Sequence, residues 1–314
     1  MSTSALSTQA EPAPAAAPPR DERSPARRRR DNIAGWAFVG PFTLLFLAFL
    51  VVPILLGLWQ SFTSLSLTGA NNTFIGLANY AEAFGDADMW NALGNTTVFT
   101  VLSTVPLVLI ALVMALLVNM GIKGQWFWRL AFFLPFLLAS TVVTLFWEWM
   151  YNPELGVIND VLTRFGAEPV SWLQDPNTAM GAVVVTTVWW TVGFNFLLYL
   201  AALQNIPHVQ YEAAAIDGAS AWRQLFSITL PQLGPTTVLI VILQVLASLK
   251  VFDQIYMMTQ GGPAGATRSI VQYIYDTGFT GYRLGYAASI SYIFFAIIVV
   301  LSLVQARIAV RRSS

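Results

Sequence analysis

Six apolar runs, separated by shorter polar pieces, divide the chain at residues 33–59, 92–120, 130–147, 179–203, 234–257 and 284–306. Crossing a membrane takes about 20 consecutive apolar residues, because a ~30 Å hydrocarbon layer is traversed at about 1.5 Å per residue. Each run meets or nearly meets that length. The pattern therefore predicts an all-α polytopic membrane protein with six transmembrane helices. The third run stops early at Glu148, but Trp149 and Tyr151 extend it with side chains suited to the membrane–water interface. The fifth carries Lys250 and Asp253 near one end, three residues apart. On one helix they would share a face and pair.

Composition agrees with the pattern. The chain has 314 residues, 56% hydrophobic and 10% charged, whereas a globular chain carries about 25% charged residues. There is no cysteine, which excludes disulfides, thiol nucleophiles and thiolate metal sites. The single histidine, His208, follows Pro207 and reads as a solvated loop residue, so no metal cluster is expected.

Charge placement predicts the orientation. Residues 1–32 are rich in Ala, Pro, Ser and Arg and have too little apolar surface to fold, so an unstructured tail is expected. The first apolar run is too long for the core of a cleaved signal, about 7–15 residues. It reads as an uncleaved span anchored by Arg27, Arg28, Arg29 and Arg30. With both termini inside, the inner segments hold 12 basic residues, including Lys123, Arg129, Arg223 and Arg307, and the outer loops hold Arg164, Arg268 and Arg283. That imbalance is the positive-inside pattern of a bacterial cell (inner) membrane protein. The expected organisation is a cytoplasmic tail (1–32), a first span with its external loop (33–91), a five-helix core (92–306) and a short cytoplasmic tail (307–314).

Within the core, one stretch is polar and foldable. Residues 204–233 form a loop on the inner side, yet Glu212, Ala213, Ala214 and Ala215 are helix formers. Gly218 interrupts, and Trp222, Leu225, Phe226 and Thr229 then recur at helical spacing. Leu230-Pro231 is expected to end the second piece, because proline cannot continue a helix interior.

The spacing Glu212-Ala213-Ala214, three residues including Asp217, Gly218, nine residues, Ile228, one residue, Leu230-Pro231 resembles the EAA loop of membrane subunits of binding-protein-dependent ABC importers. Phe252-Asp253-Gln254-Ile255-Tyr256 and Thr259-Gln260-Gly261-Gly262-Pro263 are similar to the carbohydrate branch, of the maltose and glycerol-3-phosphate transporter type. Asn95-Thr96-Thr97 resembles the opening of that family's core. The resemblance implies the permease fold and a coupling helix docked on a separate ATPase. It implies a second homologous permease subunit, two copies of that ATPase and an extracytoplasmic solute-binding protein. Glu212 would then meet a basic residue of the ATPase, Gly218 would allow the turn, and Leu230-Pro231 would set the exit into the next span.

The chemistry available to the chain points the same way. No Gly-x-x-x-x-Gly-Lys-Ser/Thr stretch occurs, so ATP and its magnesium would be bound by partner subunits and this chain would be a transport subunit, not an enzyme. Intramembrane carboxylates, which mark ion-driven carriers, are few. An ATPase-independent carrier is thereby disfavoured. Thr187, Thr191 and Asn195 follow at i, i+4, i+8, flanked by Trp190 and Phe194, while Gln244 and Ser248 are also i, i+4. Such polar faces look at protein or water rather than lipid. Either they hold helices together, or their hydroxyls, amides and rings line a sugar path. The expected path residues are Thr187, Trp190, Thr191, Phe194, Gln244 and Ser248. A permease for glycerol-3-phosphate, a polyol or another polar solute is the alternative. Phosphate recognition would favour a cation facing the cavity, and the spans offer only Lys250.

Overall fold

The computed structural model describes residues 25–69 and 72–313. The expected tail up to residue 24 lies outside the described residues. The helix that follows begins at Pro25, inside the stretch read as unstructured. The chain divides into two units, residues 1–56 and 57–314.

The described part of the first unit is a helix, α1 (Pro25–Phe46), that passes through a π-turn at Leu47–Val51 into the first residues of α2 (Val52–Gln60), whose end belongs to the second unit. The π-turn has a local cause. Pro53 lacks an N–H and its ring crowds the carbonyl four residues back. Widening the preceding turn by one residue, with Val52 N–H bonding Leu47 O, relieves that crowding. Phe38, Phe42 and Leu55 are exposed, as side chains meant for lipid would be.

In the second unit α3 (Ala78–Gly85) leads into α4 (Ala87–Asn119). Next come α5 (Gln125–Phe133), α6 (Ser140–Met150), α7 (Val157–Arg164) and α8 (Ala179–Gln204). After them run α9 (His208–Ile216), α10 (Ala221–Gln224), α11 (Leu230–Leu249), α12 (Asp253–Met258), α13 (Ile270–Tyr275) and α14 (Leu284–Ser313). Among the described residues five helices are long and apolar enough to cross a membrane, and a sixth crossing is available if the bent pair α5 and α6 counts as one. The fold is all-α, with a single isolated β-bridge, Thr63 to Phe74, among the described residues.

The core of this unit is α4 against α8, with α11 beside both. Ala111 and Ala115 let α4 approach closely, and Phe196, Tyr199 and Ile240 fill the seam. Interiors of membrane bundles are built this way: lipid is as apolar as leucine, so close packing of small residues holds helices together.

Two expected spans differ from their predicted form. The third is not one helix. It bends by 96° between α5 and α6, where Leu134–Leu137 is a 3₁₀ turn containing Pro135 and Leu138 and Ala139 are extended. The carbonyl freed at Leu138 accepts a hydrogen bond from Trp190 Nε1 at 3.2 Å. α8 can come this close because Gly193 lies against the elbow, where a Cβ would stand 2.2 Å from Phe132 O.

The fifth span ends at Leu249 rather than Met257. Lys250 caps α11, and Asp253 opens α12, a separate helix. The two therefore do not share a helix face and form no ion pair, contrary to the expectation from spacing.

Candidate functional site

The polar loop is the helix–break–helix predicted from its residues. α9 is closed by a Schellman turn: Gly218 N–H bonds Ala215 O at 3.0 Å and Ala219 N–H bonds Ala214 O at 2.8 Å. Gly218 has φ +74°, a conformation that a Cβ disfavours. Ser220 then caps α10, its hydroxyl accepting from Arg223 N–H.

One local expectation is corrected. Leu230-Pro231 does not end this helix. Residues 221–249 form one rod, because a π-turn at Leu225–Thr229 makes room for Pro231, the device also seen before Pro53. Glu212 lies mid-way along α9, which starts at His208, so the helix dipole gives its carboxylate little support there. His208 is exposed, as expected.

The exposed face of α9 carries Glu212 and Ala213 together with Val209 and Ile216, which are 71% and 86% exposed. Asp217 is exposed at the helix end. The opposite side is braced. Tyr211 and Thr229 hydroxyls meet at 2.9 Å, and Gln232 Nε2 donates to Gln210 Oε1. Ile228 packs on the α4–α8–α11 core. Ala214 is half-buried beneath the Schellman turn, Leu230 is half-buried and Pro231 exposed at the root of α11. α9 is thus joined to the start of α11 and the turn before it by direct contacts.

Near the other end of α11 lies a cavity of about 220 Å³. Thr187 and Thr191 from α8 and Gln244 and Ser248 from α11 line it, with Phe99 from α4 and Phe252 beyond α11. Lys250, Asp253 and Gln254 complete the rim. The polar groups are wired together. Asn195 Nδ2 donates to Gln244 Oε1 at 3.2 Å, Gln244 Nε2 donates to Ser248 Oγ at 3.1 Å, and the Ser248 and Ser103 hydroxyls are 3.1 Å apart. Thr187 donates to Val183 O and Thr191 to Thr187 O, both at 2.8 Å, which leaves their oxygen lone pairs free to accept. A cavity of this kind accepts hydrogen bonds from hydroxyl groups and covers C–H surface with aromatic rings.

Four of the six expected path residues therefore meet at one cavity. Trp190 and Phe194 do not line it. Trp190 caps the elbow carbonyl, and the Phe194 ring stacks on Phe136 at 5.3 Å. Phe99, Ser103, Phe252 and Gln254 were not singled out. Phe99 and Ser103 stand at i, i+4 within the run Thr96, Thr100, Ser103, Thr104, a polar stripe of α4 that signals an inward face.

Away from this site, Asp86 caps α4 and accepts hydrogen bonds from the Tyr273 and Tyr286 hydroxyls. Burial raises its pKa, but the two hydroxyls and the Met89 and Asp88 N–H groups outweigh burial and hold it below the ordinary carboxylate value. Tyr273 is pushed up to about 12, by burial first and then by the bond to Asp86.

Residues 93–314 match the family described as binding-protein-dependent transport system inner membrane component. The chain is 36% identical over 279 residues to the sulfoquinovosyl glycerol transport system permease protein SmoG of Agrobacterium fabrum, covering 88% of this chain and 91% of that one. It is 36% identical over 262 residues to the trehalose/maltose transport system permease protein MalF of Thermococcus litoralis, with 83% and 89% covered. It is also 35% identical over 285 residues to the sn-glycerol-3-phosphate transport system permease protein UgpA of Brucella suis, with 90% and 96% covered. Among solved structures, a chain of a bacterial ABC transporter that imports the acidic polysaccharide alginate superposes with TM-score 0.79 at 25% identity, over 90% of this chain and 96% of that one. A second structure of the alginate transporter, in complex with its pentasaccharide-bound periplasmic protein, also gives TM-score 0.79, over 92% and 98%.

Proposed function

The chain belongs to the binding-protein-dependent transport system inner membrane components, and we propose that it forms one half of the translocation pathway of an ATP-driven carbohydrate importer. It is a multi-pass membrane transport subunit. In this reading α9 is the coupling helix. Glu212, Ala213 and the exposed Val209 and Ile216 seat it on a cytoplasmic ATPase, and both termini are cytoplasmic. A second homologous permease, two ATPase copies binding ATP and magnesium, and an extracytoplasmic solute-binding protein complete the assembly.

The observation that carries the reading is mechanical. α9 is hydrogen-bonded to the root of α11 through Tyr211 and Thr229, and α11 carries Gln244 and Ser248 into the polar cavity. Fifteen residues of helix separate Thr229 from Gln244, roughly 22 Å at 1.5 Å per residue. Closure of an ATPase pair would swing that lever and change the cavity's access, which is alternating access coupled through a rigid element. The relatives named for trehalose/maltose and sulfoquinovosyl glycerol transport support a carbohydrate solute. A permease for glycerol-3-phosphate or a polyol is the second reading, favoured by the UgpA relative.

The test is reconstitution in proteoliposomes with a candidate partner permease, ATPase and binding protein from the same genome. Carbohydrate uptake that requires ATP is expected. Uptake driven by an ion gradient through this chain without an ATPase would overturn the reading.

A further inference from the structure

The connections at the Lys250 end of the bundle hold three arginines, and each is neutralised. Arg164 pairs with Asp160 at 2.7 Å, Arg283 with Glu82 at 2.7 Å and Arg268 with Asp88 at 3.7 Å. Arg268 and Arg283 also lie over the rings of Tyr273 and Tyr286. Lys250 differs from all three. It is exposed, no carboxylate among the described residues lies within ion-pairing distance, and it stands on the wall of the cavity. Its position explains how an unpaired ammonium is held there: Lys250 caps the C-terminus of α11, where the helix dipole favours a cation. The nearest acid in sequence, Asp253, lines the same cavity but belongs to α12.

Apart from Lys250 and Asp253, the wall chemistry is uncharged. Thr187, Thr191, Gln244 and Ser248 offer hydroxyl and amide groups, and Phe99 and Phe252 offer ring surface. A carboxylate at Asp253 beside Gln254 accepts hydrogen bonds from a sugar's hydroxyl pair. What Lys250 lacks is an anion.

We infer that the cavity selects a carbohydrate or polyol bearing one anionic substituent, with Lys250 as the residue that reads the charge. The substituent is a carboxylate, sulfonate or phosphate, each of which accepts a charge-assisted hydrogen bond from an ammonium. Asp253 and Gln254 bind hydroxyls of the same molecule, and Asp253 disfavours solutes with several negative charges at that rim. The inference rests on the carbohydrate-importer reading and gives its solute a charge.

The experiment uses the full importer in proteoliposomes and a panel of matched solutes: a neutral glycoside and its carboxylated, sulfonated and phosphorylated forms. Wild type is expected to take up at least one anionic form in preference to the neutral one. Lys250→Gln should lower kcat/KM for that solute by about 10- to 100-fold, the loss expected for a hydrogen bond to a charged group. Lys250→Arg should restore most of it. Arg164→Gln removes the same charge from a paired position outside the cavity and should leave uptake unchanged. Preference for the neutral glycoside, wild-type uptake of the anionic solute by Lys250→Gln, or equal losses in Lys250→Gln and Arg164→Gln would overturn the inference. Uptake of no member of the panel, charged or neutral, would instead count against the carbohydrate reading itself.

Discussion

Asn195 Nδ2 donates to Gln244 Oε1 at 3.2 Å, and that single bond ties α8 to α11 beside the cavity. It also holds the Gln244 amide so that its nitrogen reaches Ser248. Removing the donor frees the Gln244 side chain to turn. Asn195→Leu is expected to weaken the bundle by about 0.6–1.7 kcal/mol, the range for polar contacts between membrane helices, and to raise the KM for solute. Thermal unfolding in detergent and uptake kinetics measure the two effects. A loss of stability with unchanged KM would reduce the bond to helix packing.

The cavity assignment makes a second prediction. Gln244→Leu and Thr191→Val remove hydrogen-bonding capacity while nearly keeping volume. Both are expected to impair uptake, Gln244→Leu more severely, because it also takes the acceptor from Asn195 and leaves Ser248 bonded to Ser103 alone. Uptake kinetics indistinguishable from wild type in both variants would remove these residues from the path.

In the proposed reading, coupling through α9 depends on the face that would dock on the ATPase. Glu212→Lys reverses the charge at an exposed position where no side-chain bond to another described residue is lost. Membrane insertion should be unaffected, while solute-stimulated ATP hydrolysis and co-purification with the ATPase should fall to background. Normal stimulated hydrolysis in that variant would argue against the role.

The brace and the turn behind α9 can be tested apart from docking. Tyr211→Phe deletes the hydroxyl that meets Thr229. Gly218→Val forces a β-branched residue into a left-handed conformation, at about 1–2 kcal/mol or more. In both, solute moved per ATP hydrolysed should drop while the ATPase remains bound. Tight coupling in both variants would mean that motion reaches α11 by another route.

A fourth region sets a pH window. Asp86 is depressed in the folded chain, so its contribution is present above the ordinary carboxylate value of 3.8 and is lost as pH falls through its lower folded value. Tyr273 is raised from 10 to about 12, so its contribution is complete below pH 10 and fades as pH rises toward 12. The cap at the start of α4 should therefore be intact between those limits. Asp86→Ala should lower stability by about 1–2 kcal/mol, the usual loss of an N-cap, and flatten the acid side of a stability–pH profile. An unchanged profile would mean that the cap contributes nothing.

Much was legible because hydropathy and spacing are properties of the chain itself. The apolar runs report which segments prefer lipid, whatever they pack against. The interval from Glu212 to Pro231 reports a helix, a glycine turn and a second helix, since those depend on neighbours in sequence. Thr187, Thr191, Gln244 and Ser248 could be picked out because polar groups at i, i+4 on an apolar helix must face something other than lipid. The two proline sites were misread for a reason. From the sequence Pro231 reads as a helix end, yet one π-turn absorbs it, while Pro135 breaks a span whose hydropathy is continuous. Whether a proline ends a helix depends on where the freed carbonyl finds a partner, and at Leu138 that partner is Trp190, 52 residues away.

The sequence by itself determined the class of protein, the number of apolar segments and the form of the α9 loop, because these follow from local propensity and from the cost of burying charge in lipid. Only the tertiary structure decided which polar stripes meet. Helical spacing names a face but not its neighbour. The close approach of α4, α8 and α11, permitted by Ala111 and Ala115, turned Ser103, Asn195, Gln244 and Ser248 into one connected wall. The same packing turned Trp190 and Phe194 outward to the elbow, and the end of α11 at Leu249 left Lys250 on the cavity rim without a counter-ion.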